Sequence, residues 1–275
     1  MKEVTFGQYY PSKSFVHNMD ARVKILLTIA FIVAVFMVKA FHFLGFGACF
    51  LFLVLAITFS KVPFFRVLKS IKGIAFFIVL TAIIQLFFNK TGNVVVSWSF
   101  INFTDLGLLN TAYIIVRRVL VSLGASLLTL TTTPVDIADG IESLLMPLKW
   151  IKFPVHEFAL IMSIALRFIP SLIEETDRII KAQKARGADF ESGNIFKRIK
   201  ALIPVLIPLL ISSFRRAEEL SDAMDARCYA GSKHRTKYKK MKISYRDILG
   251  VLIIAGLITG VVFLNKFYLF LGVIL

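Results

Sequence analysis

Residues 43–59, F-L-G-F-G-A-C-F-L-F-L-V-L-A-I-T-F, contain no charged side chain, and neither do residues 73–88 or 248–265. Runs of this length and polarity constrain the fold more than anything else in the chain. A stretch of about 20 apolar residues matches the thickness of a bilayer core. Inside lipid, every backbone polar group must be satisfied within the protein, so such stretches become helices or closed barrels. The runs are unbroken and not alternating, which selects helices. Composition agrees: 57% of the 275 residues are hydrophobic and 27 are Phe, against about 45–50% apolar for a soluble domain.

Five spans emerge. The first apolar run, 25–38, reaches spanning length if its helix extends back through Asp20-Ala21-Arg22 with Arg22 and Lys24 snorkelling. The others cover 43–59, 73–88, about 106–130, and 248 to near Lys266. Between the third and fourth, residues 89–105 are polar and β-branched and read as an external loop holding a short hairpin. The N-terminus lacks the pattern of a cleaved signal peptide.

The net charge is +16. In a soluble chain that would suggest nucleic acid, but membrane proteins gather Lys and Arg on their cytoplasmic side, and no nucleic-acid partner is expected. The short segments 1–24 and 61–72 hold eight Lys/Arg, while 39–42 and 89–105 hold two, which places the N-terminus in the cytoplasm.

After the fourth span the pattern changes. In T-T-T-P-V-D (131–136), Thr133 supplies a capping hydroxyl, Pro134 suits the first helical position, and Asp136 favours the first turn. A short amphipathic helix follows over 135–146, closed by Pro147. Two long helices come next, over 155–187 and from 195 to about 229. Each has an apolar half containing proline, Pro170 in one and Pro204 with Pro208 in the other, and each proline is expected to kink its helix. Arg167 in 158–173, and the two prolines within the short run 201–214, make both apolar halves uncomfortable as crossings.

Both long helices end in the same tripeptide type. Ala185-Arg186-Gly187 and Ala226-Arg227-Cys228 place two Arg 41 positions apart, each between small residues. For one copy, an ordinary helix end accounts for the pattern: Arg favours the dipole, and Gly187, or Gly231 for the second helix, offers a left-handed cap. Two copies suggest a second role. Small neighbours let the backbone approach a groove while the guanidinium reaches acceptors inside it. The two motifs read as plugs for two similar sockets on cytoplasmic partners.

Arg117 and Arg118 interrupt the fourth span near its middle and are candidates for an intramembrane polar contact. Catalytic chemistry is not suggested. No phosphate-cradling loop occurs, the four His are scattered without ligand spacing, and Cys49 and Cys228 form no framework. No catalytic, cofactor-binding or metal-binding residue is proposed. The expected architecture is an all-α integral membrane protein of about five transmembrane helices plus a module of one short and two long, proline-kinked helices. Its divisions are 1–130 (N-terminal segment and four spans), 131–246 (cytoplasmic or interfacial module) and 247–275 (C-terminal span).

These residues resemble the transmembrane T component of energy-coupling factor (ECF) vitamin transporters, a branch of the ABC transporters. The resemblance spans nearly the whole chain. It is carried by D-A-R-V-K-I-L (20–26), R-R-V-L-V-S-L-G-A-S-L-L-T-L-T-T-T-P-V-D-I (117–137), A-M-D-A-R-C-Y-A-G (223–231) and, most specifically, residues 153–189, ending K-A-Q-K-A-R-G-A-D. It implies a non-catalytic coupling subunit of the cell membrane, partnered by two ABC ATPases and a membrane-embedded substrate-binding S component. The 131–246 module would be the coupling module. Ala185, Arg186, Gly187, Ala226, Arg227 and Cys228 would dock the ATPases, with Cys228 where glycine is frequent in that family. Ala21 stands where proline is common. The competing reading is a permease subunit of a conventional ABC importer, which would usually present one docking helix per subunit.

Overall fold

A computed structural model describes residues 9–39, 43–88, 94–98, 101–151, 154–190, 195–229, 231 and 244–270. The helices are α1 (Ala21–Met37), α2 (Phe43–Ser60), α3 (Phe64–Phe88), α4 (Asp105–Thr131), α5 (Pro134–Leu145), α6 (Val155–Ala185), α7 (Ile195–Ala226) and α8 (Tyr245–Phe270). A hairpin of β1 (Val94–Trp98) and β2 (Ile101–Thr104) precedes α4, antiparallel, with Trp98 opposite Ile101. A 3-10 turn, Met146–Ile151, follows α5 and contains Pro147. The expected 189–194 turn and 39–42 break lie partly outside the described residues.

The chain divides into two compact units, one of residues 7–144 with 241–275 and one of 145–240 with 1–6. In the first, α4 packs against α1, α2 and α3, while α8 packs against α1 and α2. The shared core holds Phe31 and Val35 of α1, Phe46 and Leu53 of α2, Tyr113 and Leu123 of α4, and Ile254 and Val261 of α8. Close approach of α4 to α1 depends on Gly124, where an added Cβ would stand 2.6 Å from the Phe31 ring. An apolar cavity of about 180 Å³ lies among α1, α2, α4 and α8, lined by Phe31, Phe52, Leu127 and Ile254 among others.

Two polar junctions hold this bundle. At one, the C-terminal carbonyls of α1 are taken by neighbouring helices. Val38 O accepts from the Tyr113 hydroxyl (2.8 Å) and Arg117 Nη2 (2.6 Å), and Met37 O accepts from Asn265 Nδ2 (2.8 Å). Orphan carbonyls at a helix end in lipid need such donors. At the other junction, Lys24 Nζ donates to His17 O (3.0 Å) and Thr131 O (3.1 Å), and the carboxylates of Asp136, Asp247 and Asp20 balance its charge. Buried Asp247 accepts from the Asp20 and Ser244 amides, tying the start of α8 to the approach to α1. Nearby, His17 Nε2 donates to Tyr10 O (2.9 Å), and burial pushes its pKa below the ordinary value.

The caps follow the sequence signals. Asp20 accepts from the Arg22 amide at the start of α1, and Ala21 is the first helical residue, a position that suits proline equally. Thr133 Oγ1 accepts from the Asp136 amide and donates to its carboxylate at the start of α5. Where α5 passes the start of α1, a Cβ on Gly140 would lie 3.3 Å from both Ala21 Cβ and the Arg22 amide nitrogen.

Among the described residues, five helices are long and apolar enough to cross a membrane: α2, α3, α4, α6 and α8. Four of them are expected spans. The remaining expected span, α1, has 17 residues, at the lower end of spanning length, and α6, whose apolar half the sequence leaves between crossing and membrane surface, qualifies over its 31 residues. α3 also begins nine residues before the expected 73, and the helix runs on through the basic segment with Arg66, Lys69 and Lys72.

Candidate docking site

In the second unit, α6 and α7 pack against each other. Both helices run on through their prolines, Pro170 in one and Pro204 and Pro208 in the other. Their apolar halves stay uncovered. Ile161 of α6 and Leu202, Leu206, Ile207, Leu210 and Phe214 of α7 are all exposed, and among the described residues of the two helices only Val155 and Val205 are buried.

The two tripeptides occupy the C-termini of these helices and share one backbone geometry. At α6, Ala185 is the last helical residue, Arg186 is the cap, and Gly187 turns left-handed at φ +86°. The Gly187 amide donates to Lys184 O (3.0 Å) and the Ala188 amide to Gln183 O (3.0 Å). At α7, Ala226 is the last helical residue, Arg227 the cap, and Cys228 turns left-handed at φ +55°. The Cys228 amide donates to Asp225 O (2.9 Å) and the Tyr229 amide to Met224 O (3.1 Å). This paired bonding is the Schellman motif at both ends. It gives the small third residue a conformational reason, since a left-handed residue with a bulky side chain is strained. It also corrects one expectation. The left-handed cap of α7 is Cys228; Gly231 is left-handed as well (φ +81°) but lies three residues further on.

The cap geometry explains the third position of each tripeptide and leaves the second unexplained. Arg186 and Arg227 are exposed, and among the described residues neither guanidinium makes an ion pair or side-chain hydrogen bond. A different Arg binds the helices to each other. Arg216 of α7 donates through Nη1 to Ser171 Oγ (2.5 Å) and through Nη2 to Glu175 Oε2 (2.5 Å), both on α6. Eleven residues separate Glu175 from Arg186, and eleven separate Arg216 from Arg227. Sequence reasoning missed this clasp because its two sides lie 41 to 45 positions apart in the chain. The four-residue spacing of Ser171 and Glu175 was the available signal.

The intramembrane pair diverges. Arg117 points to the end of α1 and lies 4.4 Å from the Tyr113 ring centroid, while Arg118 donates to Thr81 Oγ1 of α3. Arg117 thereby satisfies a helix end, and Arg118 remains exposed. Among the described residues, no group of three His, Cys, Asp or Glu is placed to hold a metal.

A bundle of apolar helices braced by internal polar junctions, with two long helices that end in matched caps, defines a multi-pass α-helical membrane protein. The CbiQ family model, described as a cobalt transport protein, matches residues 12–238. The energy-coupling factor transporter transmembrane protein EcfT of Clostridium kluyveri is 46% identical, with 92% of this chain and 93% of that protein covered. Its counterpart in Ruminiclostridium cellulolyticum is 47% identical over 90% and 92% of the two chains, and that of Bacillus subtilis 42% over 94% and 98%. The chain belongs to this family of energy-coupling factor transporter transmembrane (T) components.

Proposed function

We propose that the chain is the coupling subunit of an ECF-type importer of a vitamin or similar micronutrient. Ala185-Arg186-Gly187 and Ala226-Arg227-Cys228 hold two ABC ATPase subunits, which supply the ATP hydrolysis. α6 and α7, within the 131–246 coupling module, carry the ATP-driven motion to an S component that lies against their apolar halves and binds the substrate. The observation that carries this reading is the matched pair of caps, each presenting an exposed Arg that has no ion pair or side-chain hydrogen bond among the described residues. Two presentation sites on one chain fit two ATPases, whereas a conventional permease subunit would need one. The uncovered apolar residues of α6 and α7 supply a face for a hydrophobic partner.

Truncating an interface anchor costs about 2 kcal/mol, or about 30-fold in affinity. Loss of one Arg leaves tethering through the other by effective concentration. The double variant Arg186→Ala with Arg227→Ala is therefore expected to insert normally yet release both ATPases and abolish uptake. Co-purification of both ATPases with that variant, together with uptake at the parent rate, would refute the docking.

The charge asymmetry of the short loops supports an N-terminus in the cytoplasm of a plasma-membrane protein. In a Cys228→Gly background, Asp105→Cys should react with an impermeant thiol reagent added outside intact cells, and Lys184→Cys should not. The reverse labelling would overturn the orientation.

A further inference from the structure

We infer that Arg216 is a positioning residue. By gripping Ser171 and Glu175 it fixes the register of α7 on α6, so that Arg186 and Arg227 each stand eleven positions beyond the Glu175–Arg216 bond. This rests on the docking reading above. The two acceptors lie one turn apart on the same face of α6, and each terminal nitrogen of the guanidinium takes one of them. A slide of α7 by one residue, about 1.5 Å, would break at least one bond, because the planar fork cannot follow as an ammonium could.

Apolar contacts between two helices tolerate several registers, and a polar contact selects one. Beyond the Glu175–Arg216 bond, each helix continues for ten residues, about 15 Å, and ends in the same cap at the eleventh. Two arms of one length from one fixed contact turn a change in socket separation into an angle between the arms. A pair of tethers that only held ATPases would need neither matched lengths nor a register lock.

The test uses the full chain in nanodiscs, in a Cys228→Gly background, with spin labels at Lys181→Cys and Asp222→Cys. The parent should give one narrow distance distribution. Arg216→Ala should broaden it, Arg216→Lys should fall between, and Glu175→Arg combined with Arg216→Glu should recover much of the narrowing. In the assembled transporter, Arg216→Ala should keep both ATPases bound yet lower substrate transported per ATP by about fivefold, the scale of one partly exposed ion pair. An unchanged distribution in Arg216→Ala, or unchanged transport per ATP despite a broadened one, overturns the inference. The distance measurement is made on the chain alone. It therefore separates failure of the clasp from failure of ATPase docking, which the double-alanine variant reports.

Discussion

The helices of the membrane bundle finish one another, whereas the two long helices finish themselves. At the end of α1, three side chains from α4 and α8 occupy the free carbonyls. At the ends of α6 and α7, the chain's own backbone closes the last turn. Charge follows the same division. Lys24 and Asp247 are buried in the bundle with internal partners, while on α6 and α7 the Arg of each tripeptide is exposed and Arg216 bridges the two helices. A region whose polar groups are answered internally has little left to offer a partner. A region that closes its backbone locally and leaves Arg186 and Arg227 exposed has side chains to offer, which is what the docking proposal uses.

The comparison breaks most readily at lysine. Lys24 is 6% exposed and serves two carbonyl oxygens. Lys24→Met would leave His17 O and Thr131 O without those donors, and it should destabilise the bundle by about 2–3 kcal/mol. The same substitution on the other unit, Lys181→Met, removes an exposed charge and should stay within about 0.5 kcal/mol. Thermal unfolding of both variants in one detergent checks the difference, and equal shifts would erase the distinction between the regions.

Much of this was legible in the sequence because lipid imposes simple rules. Apolar runs, two of them uncharged and one interrupted by Arg117 and Arg118, marked α2, α8 and α4 to within a few residues, and Thr133-Pro134-Asp136 marked the start of α5. Charge was a poor guide to where helices begin. Arg66, Lys69 and Lys72 looked like a loop boundary, yet backbone hydrogen bonding carries α3 through them, since a helix does not stop where the bilayer does. Arg167 likewise marks the apolar half of α6 as an uneasy crossing, although the helix is long and apolar enough to make one. The two tripeptides stood out because they repeat. The clasp did not, because Arg216 finds Ser171 and Glu175 only once the helices pack, 41 to 45 positions away in sequence. The acceptor of Arg117 is a backbone carbonyl, which no residue identity announces.

The smallest expected effect separates the two roles inside each tripeptide. Gly187 and Cys228 hold the same left-handed position, but only cysteine carries a Cβ there, a strain of about 1 kcal/mol. Cys228→Gly should relax the α7 cap by up to about 0.5 kcal/mol after allowing for the extra freedom glycine gives the unfolded chain, and Gly187→Ala should weaken the α6 cap by a similar amount. The effect is local, so the readout is hydrogen exchange at the amides that close each cap, Tyr229 and Ala188. Exchange should slow at Tyr229 in the first variant and quicken at Ala188 in the second. If the third residue serves only the backbone, ATPase affinity should be unaltered in Cys228→Gly, because Arg227 and its presentation are retained. Weaker ATPase binding with slower exchange would mean that the thiol itself touches the socket, and the two motifs would then be alike in backbone but not in what they offer a partner.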